Sequence, residues 1–71
     1  MDNIYQSLVK HFGTQEATAK ALDVDQSTVS GWCRGAFKPG PKVSVRAERA
    51  TDGEFSRREL CPDFPWDETA A

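Results

Sequence analysis

Residues 15–32, QEATAKALDVDQSTVSGW, contain two short helical patterns joined by a tight turn. Small Ala19 falls where the two helices would touch, and Leu22, Val24, Val29 and Trp32 supply the apolar set that closes the corner between them. Gln26, Ser27, Thr28 and Ser30 are then left on the outer face of the second helix. This is the residue pattern of a helix-turn-helix unit. It predicts an all-α chain of four to five short helices, with no alternating β pattern after Gly53.

The flanking sequence supplies the remaining helices. Asn3 is placed as an N-cap, with Gln6 in the capping-box position three residues on. Ile4, Leu8 and Phe12 recur at helical spacing with Tyr5 and Val9 beside them, which predicts an amphipathic first helix ended by Gly13. Thr14 caps the next helix, over about 15–22; Asp23 takes the turn, and Asp25 caps a third helix that Gly35 stops. The loop AFKPGPK follows. Pro41 suits the first turn of a fourth helix carrying Val43, Val45, Ala47 and Ala50 and ended by Gly53. Ser56 and Glu59 form a capping box opening one last short turn. Pro62 and Pro65 then leave an irregular tail. Residues 1–60 are thus expected to form the helix-turn-helix domain, and residues 61–71 a tail used for packing or for a partner.

At 71 residues the chain is one domain at most. A chain of that size buries only about 60% of its unfolded surface, so pairing with a second copy would help it. Seven aromatics give enough bulk for one core. The net charge of −2 hides a division. Between Gln26 and Ala50, Arg34, Lys38, Lys42, Arg46 and Arg49 stand against Glu48 alone, a local +4. From Thr51 onward two arginines oppose six acids, a local −4. Local charge decides whether a surface attracts phosphates. The basic half therefore points to double-stranded DNA, with the third helix laid in the major groove.

Other classes find little support. No run is long and apolar enough for a membrane span, and the opening MDNIYQ is too polar for a secretory signal. Two cysteines are too few for a disulfide framework, so reduced thiols in a cytosolic compartment are expected. Cys33, Cys61, His11 and Asp63 lack the spacing of a zinc site. No phosphate-cradling loop or nucleophile elbow is present, so neither catalysis nor a cofactor is expected.

The stretch FGTQEATAKALDVDQSTVSGW resembles the helix-turn-helix of Cro-type repressors from lambdoid phages. ERATDG, SRREL and PDFPW extend the similarity to the related YdaS-like regulators, often assigned as antitoxins, so it covers about residues 3–66. It implies the compact all-helical branch of the lambda-repressor-like fold and a sequence-specific repressor. It also implies a homodimer on a near-palindromic operator, with two recognition helices about 34 Å apart. Phe55, Leu60, Phe64 and Trp66 would supply the contact between copies. Gln15 matches the family's phosphate-contacting glutamine, and Arg34, Lys38 and Lys42 are candidates to grip the flanking backbone. Gln26, Ser27, Thr28 and Ser30 are candidates to read bases, Gln26 through a paired hydrogen bond to adenine. Two positions depart from the family pattern. Asp23 stands where the turn usually has glycine, and Gly31 stands where a long amide or basic side chain would reach a base. The acidic, aromatic PDFPWDE raises an alternative, a tail that engages a toxin protein.

Overall fold

The computed structural model describes residues 3–66; Met1, Asp2 and the tail from Asp67 to Ala71, with the acids Asp67 and Glu68, lie outside the described residues. Five helices follow in order: α1 (Ile4–Phe12), α2 (Gln15–Leu22), α3 (Gln26–Arg34), α4 (Pro41–Ala50) and α5 (Arg57–Leu60). Among the described residues there is no strand. Helix α2 packs on α1, α3 and α4, while α5 closes against α1 and α4. No helix among the described residues is long and apolar enough to cross a membrane.

The helix ends lie where the capping residues put them. The Asn3 side chain accepts from the Gln6 N–H at 2.9 Å, and Thr14 Oγ1 accepts from the Ala17 N–H at 3.0 Å. Ser56 caps α5 by accepting from the Glu59 N–H. Asp25 has the extended backbone of an N-cap, but its side chain makes no capping bond, and its carbonyl alone opens α3. Gln6 departs from the expected box as well: its side chain donates to the Cys33 carbonyl at 3.1 Å. The fourth helix ends at Ala50, ahead of Gly53; Gly53 turns the chain with a left-handed φ of 85° and donates back to the Glu48 carbonyl.

The core consists of Tyr5, Leu8, Ala19, Leu22, Val29, Trp32, Ala47 and Leu60. Trp32 is its largest fully buried side chain and lies 6.2 Å from the Tyr5 ring, centroid to centroid. On α4 the buried positions are Ser44 and Ala47, whereas Val43 and Val45 are half-buried and Ala50 is exposed. Small residues three apart let α4 come close. The Ser44 hydroxyl is satisfied by the Gly40 carbonyl at 2.9 Å, and buried Thr18 and Thr51 likewise return their protons to carbonyls four residues back. Three buried hydroxyls therefore cost the core little.

Polar side chains from the outer helices hold the open carbonyl ends of the motif. Asn3 donates to the carbonyls of Trp32 and Cys33, so α1 caps the end of α3 together with Gln6. Arg46 on α4 donates to the Leu22 carbonyl at 2.7 Å and caps the end of α2. Each terminal carbonyl would otherwise lack a partner in the helix. The angle between α2 and α3 is thereby tied to both neighbours.

Tyr5 fastens the two ends of the domain, its hydroxyl donating to the Leu60 carbonyl at 2.8 Å. Burial, reinforced by Cys61 and Asp63, pushes its pKa above the usual tyrosine value. A pKa raised on folding contributes stability that is present at neutral pH and lost as pH rises above about 10. Tyr5→Phe is expected to cost about 1–2 kcal/mol at pH 7, because the Leu60 carbonyl is left unpaired. The variant should also unfold less steeply with rising alkalinity. Urea titrations at pH 7 and pH 10.5 check both; unchanged stability at pH 7 would contradict the assignment.

Candidate nucleic-acid interface

Asp23 makes the corner between α2 and α3, with φ 58° and ψ 47°, the left-handed region that glycine would occupy at least cost. Aspartate tolerates that region better than most residues. Its neighbour Val24 donates to the Ala19 carbonyl at 3.0 Å, which completes the turn. Helix α3 leaves this corner with Val29 and Trp32 turned inward, at 0% and 1% exposure.

The opposite face of α3 is open. Gln26, Ser27 and Arg34 are exposed, and Thr28 and Ser30 are half-buried at its margins. The four expected base-reading residues thus fall on one short helix, with Gln26 and Ser27 projecting most. Lys38 and Lys42 are both exposed beyond the end of α3, on the loop and on α4. Lys42 lines a shallow groove along α4 with Pro41, Val45, Arg46 and Arg49. Arg46 is committed to the Leu22 carbonyl, so it serves the fold even while lining that groove.

Three expected residues have neighbours that the sequence did not announce. Gln15, half-buried at the start of α2, has its side chain close enough to the Cys33 thiol to oppose the rise in that thiol's pKa. Burial pushes the Cys33 thiol above its ordinary pKa, which keeps it protonated and unreactive. Lys38 Nζ lies 3.5 Å from Asp63, both well exposed. The start of the acidic tail is thus beside the basic loop.

Gly31 is the third. Its place in the sequence reads as a vacant contact on the outer face, yet the residue is buried. A Cβ there would collide with the Phe37 ring, which lies over it. Phe37 itself escaped the sequence reading because it sits in a loop of prolines and glycines. The available signal was a helix-interior glycine followed six residues later by an aromatic.

The apolar residues expected to pair two copies are largely used within one. Leu60 is fully buried in the core and is unavailable to a partner. Phe55 packs half-buried on the core beside His11, whose Nδ1 lies 2.7 Å from Glu54. The Phe64 and Trp66 rings lie 4.5 Å apart, centroid to centroid, tilted by 56°, and the Trp66 indole donates to the Cys61 carbonyl at 2.8 Å. Arg57 lies over that indole and pairs with Glu48 at 2.7 Å. The guanidinium holds the Glu48 carboxyl below the usual carboxylate range.

Residues 5–69 match a family described as bacterial toxin YdaS. Over its full length the chain is 55% identical to the regulatory protein Cro of Pseudomonas phage D3, covering 97% of that protein. It is 37% identical over 54 residues to YdaS of Escherichia coli strain K12, named as a candidate transcriptional regulator, covering 55% of that protein. Among solved structures, the Cro protein of a candidate prophage element, Xfaso 1, in Xylella fastidiosa strain Ann-1 superposes with a TM-score of 0.75. That pair is 33% identical, and the match covers 86% of this chain and 92% of the other.

Proposed function

The chain belongs to the YdaS family, and from that premise we propose that it is a Cro-like transcriptional regulator which occupies an operator with α3 in the major groove. One observation carries the reading. An uncommitted polar face, Gln26 and Ser27 foremost, projects from a helix whose other side is locked into the core. Full-length likeness to a protein named Cro supports it. The buried side of α3 fixes the rod, and the open side is free to meet base edges.

Positioning and reading are divided among the residues. Gln26 pairs with adenine N6 and N7, Ser27 and Ser30 exchange hydrogen bonds with base edges, and the Thr28 methyl meets a thymine methyl. Arg34, Lys38 and Lys42 grip phosphates on either side. Gln15 offers the first-turn N–H groups of α2 to another phosphate, where the helix end favours an anion. Two copies on a near-palindrome, in the cytoplasm of a bacterial or prophage-bearing host, complete the reading. A toxin partner for the tail is the lesser alternative, since Phe64 and Trp66 already cover each other and Cys61.

Selection of duplexes from a random library by the full chain tests this. The expected product is a pair of half-sites about one helical turn apart, bound with affinity that falls steeply with salt. No enrichment and no salt dependence would overturn it.

The Lys38–Asp63 pair adds a smaller expectation. An exposed pair is worth about 0–1 kcal/mol. Asp63→Asn should therefore tighten binding by up to about fivefold on all duplexes at low salt, and the gain should shrink as salt screens it. Unchanged affinity in fluorescence-anisotropy titrations at low salt would show that Asp63 does not compete with phosphate.

A further inference from the structure

We infer that the Phe37 ring is a base-reading element: it supplies an apolar contact to the C5-methyl of one thymine in each half-site, from the position Gly31 leaves open on α3. The inference rests on the proposed major-groove placement of that helix. Four residues separate Gly31 from Ser27 and three separate it from Arg34, so at about 100° per residue it lies some 40° and 60° round the helix from them. It lies nearly opposite Val29, which faces the core. Gly31 is therefore on the open face, and it is buried because the Phe37 ring covers it.

The ring replaces the side chain that Gly31 lacks. A glycine inside a helix costs about 1 kcal/mol relative to alanine, and φ at Gly31 is not in the left-handed region. Backbone strain thus gives no reason for a glycine here. Close approach of the ring does, because any Cβ would overlap it. The loop is built to deliver that approach. Gly35 turns the chain with φ 76°, Ala36 donates to the Gly31 carbonyl at 2.9 Å, and Pro39 is buried. Phe37 comes back over the helix between these fixed points, and Lys38 follows directly.

Phe37 is 49% exposed, and among the described residues it is the large hydrophobic residue left exposed. A flat apolar surface over Gly31, on the helix face that also carries Ser27 and Arg34, has no hydrogen bond to offer a base edge. In the major groove the matching feature is the thymine methyl, which distinguishes that base from cytosine.

The test needs the full chain and the duplex it selects from the random library. Each thymine is replaced in turn by deoxyuridine, which removes the methyl and nothing else. Two positions per half-site are expected to respond, one facing the Thr28 methyl and one facing Phe37, each weakening wild-type binding about fourfold, the effect of one methyl withdrawn from apolar contact. Phe37→Ala should bind the thymine duplex about three- to tenfold more weakly and be indifferent to uridine at one of the two positions while keeping its response at the other. A wild-type chain insensitive to every uridine would overturn the proposal while leaving DNA reading intact. So would a Phe37→Ala variant that keeps the uridine response at both positions or loses affinity equally on all sequences, as a contact between copies would require. If no duplex is selected, the proposal falls together with the reading beneath it. A Phe37→Leu variant, which keeps an apolar side chain over Gly31, and retention of the Thr28-dependent uridine response in Phe37→Ala separate loss of this contact from a folding defect.

Discussion

Trp32→Ala is expected to remove about a third or more of the chain's folding stability at 25 °C. The indole is 1% exposed and is the largest fully buried side chain. It joins α3 to Tyr5 of α1 in the core that α2, α4 and α5 complete. Removing a buried aromatic costs about 3–5 kcal/mol, from lost transfer energy and the cavity that remains. A domain of this length has about 4–10 kcal/mol in total. Collapse of five short helices around so large a void is limited, because Asn3 and Arg46 pin the helix ends from outside. The melting transition followed by helical circular dichroism should move to a much lower temperature. Trp32→Phe should lower it less. If Trp32→Ala melted within a few degrees of the parent, the core described above would be wrongly centred.

Gln26→Ala should leave folding untouched and change recognition instead. The side chain is exposed in the first turn of α3, where nothing in the core depends on it. Loss of a bidentate amide–adenine pair costs about 1–3 kcal/mol of discrimination, roughly five- to 150-fold, at one base position. Repeated site selection with the variant should show that position relaxed and the others retained. Lys38→Ala provides the contrast. Losing one phosphate contact should weaken all sequences alike and lower the salt slope by about one. Uniform loss in both variants would dissolve the division between reading and positioning.

Local chemistry made the helix bounds readable. Asn3, Thr14, Pro41 and Ser56 open helices and Gly35 ends one, because a cap is decided within a few residues of itself. The inward set of the motif was readable for the same reason, since Val29 and Trp32 follow the helical period. Features that depend on distant neighbours were not readable. Gln6 had the right spacing for a capping box, but a stronger claim came from the Cys33 carbonyl 27 residues away. Leu60 sits in a polar stretch that suggests a surface, yet α5 folds back and buries it fully. Gly31 looked like an omission because periodicity places a residue on a face but cannot show what a later loop lays over it.

The central claim is that the open face of α3 enters the groove. Amide chemical-shift mapping of the full chain titrated with its selected duplex tests it most directly. The predicted result is large shifts at Gln26–Arg34 and in the loop through Lys38, with the distal amides of α1 and α5 little changed. Shifts concentrated on α1 or α5, with residues 26–34 undisturbed, would contradict it.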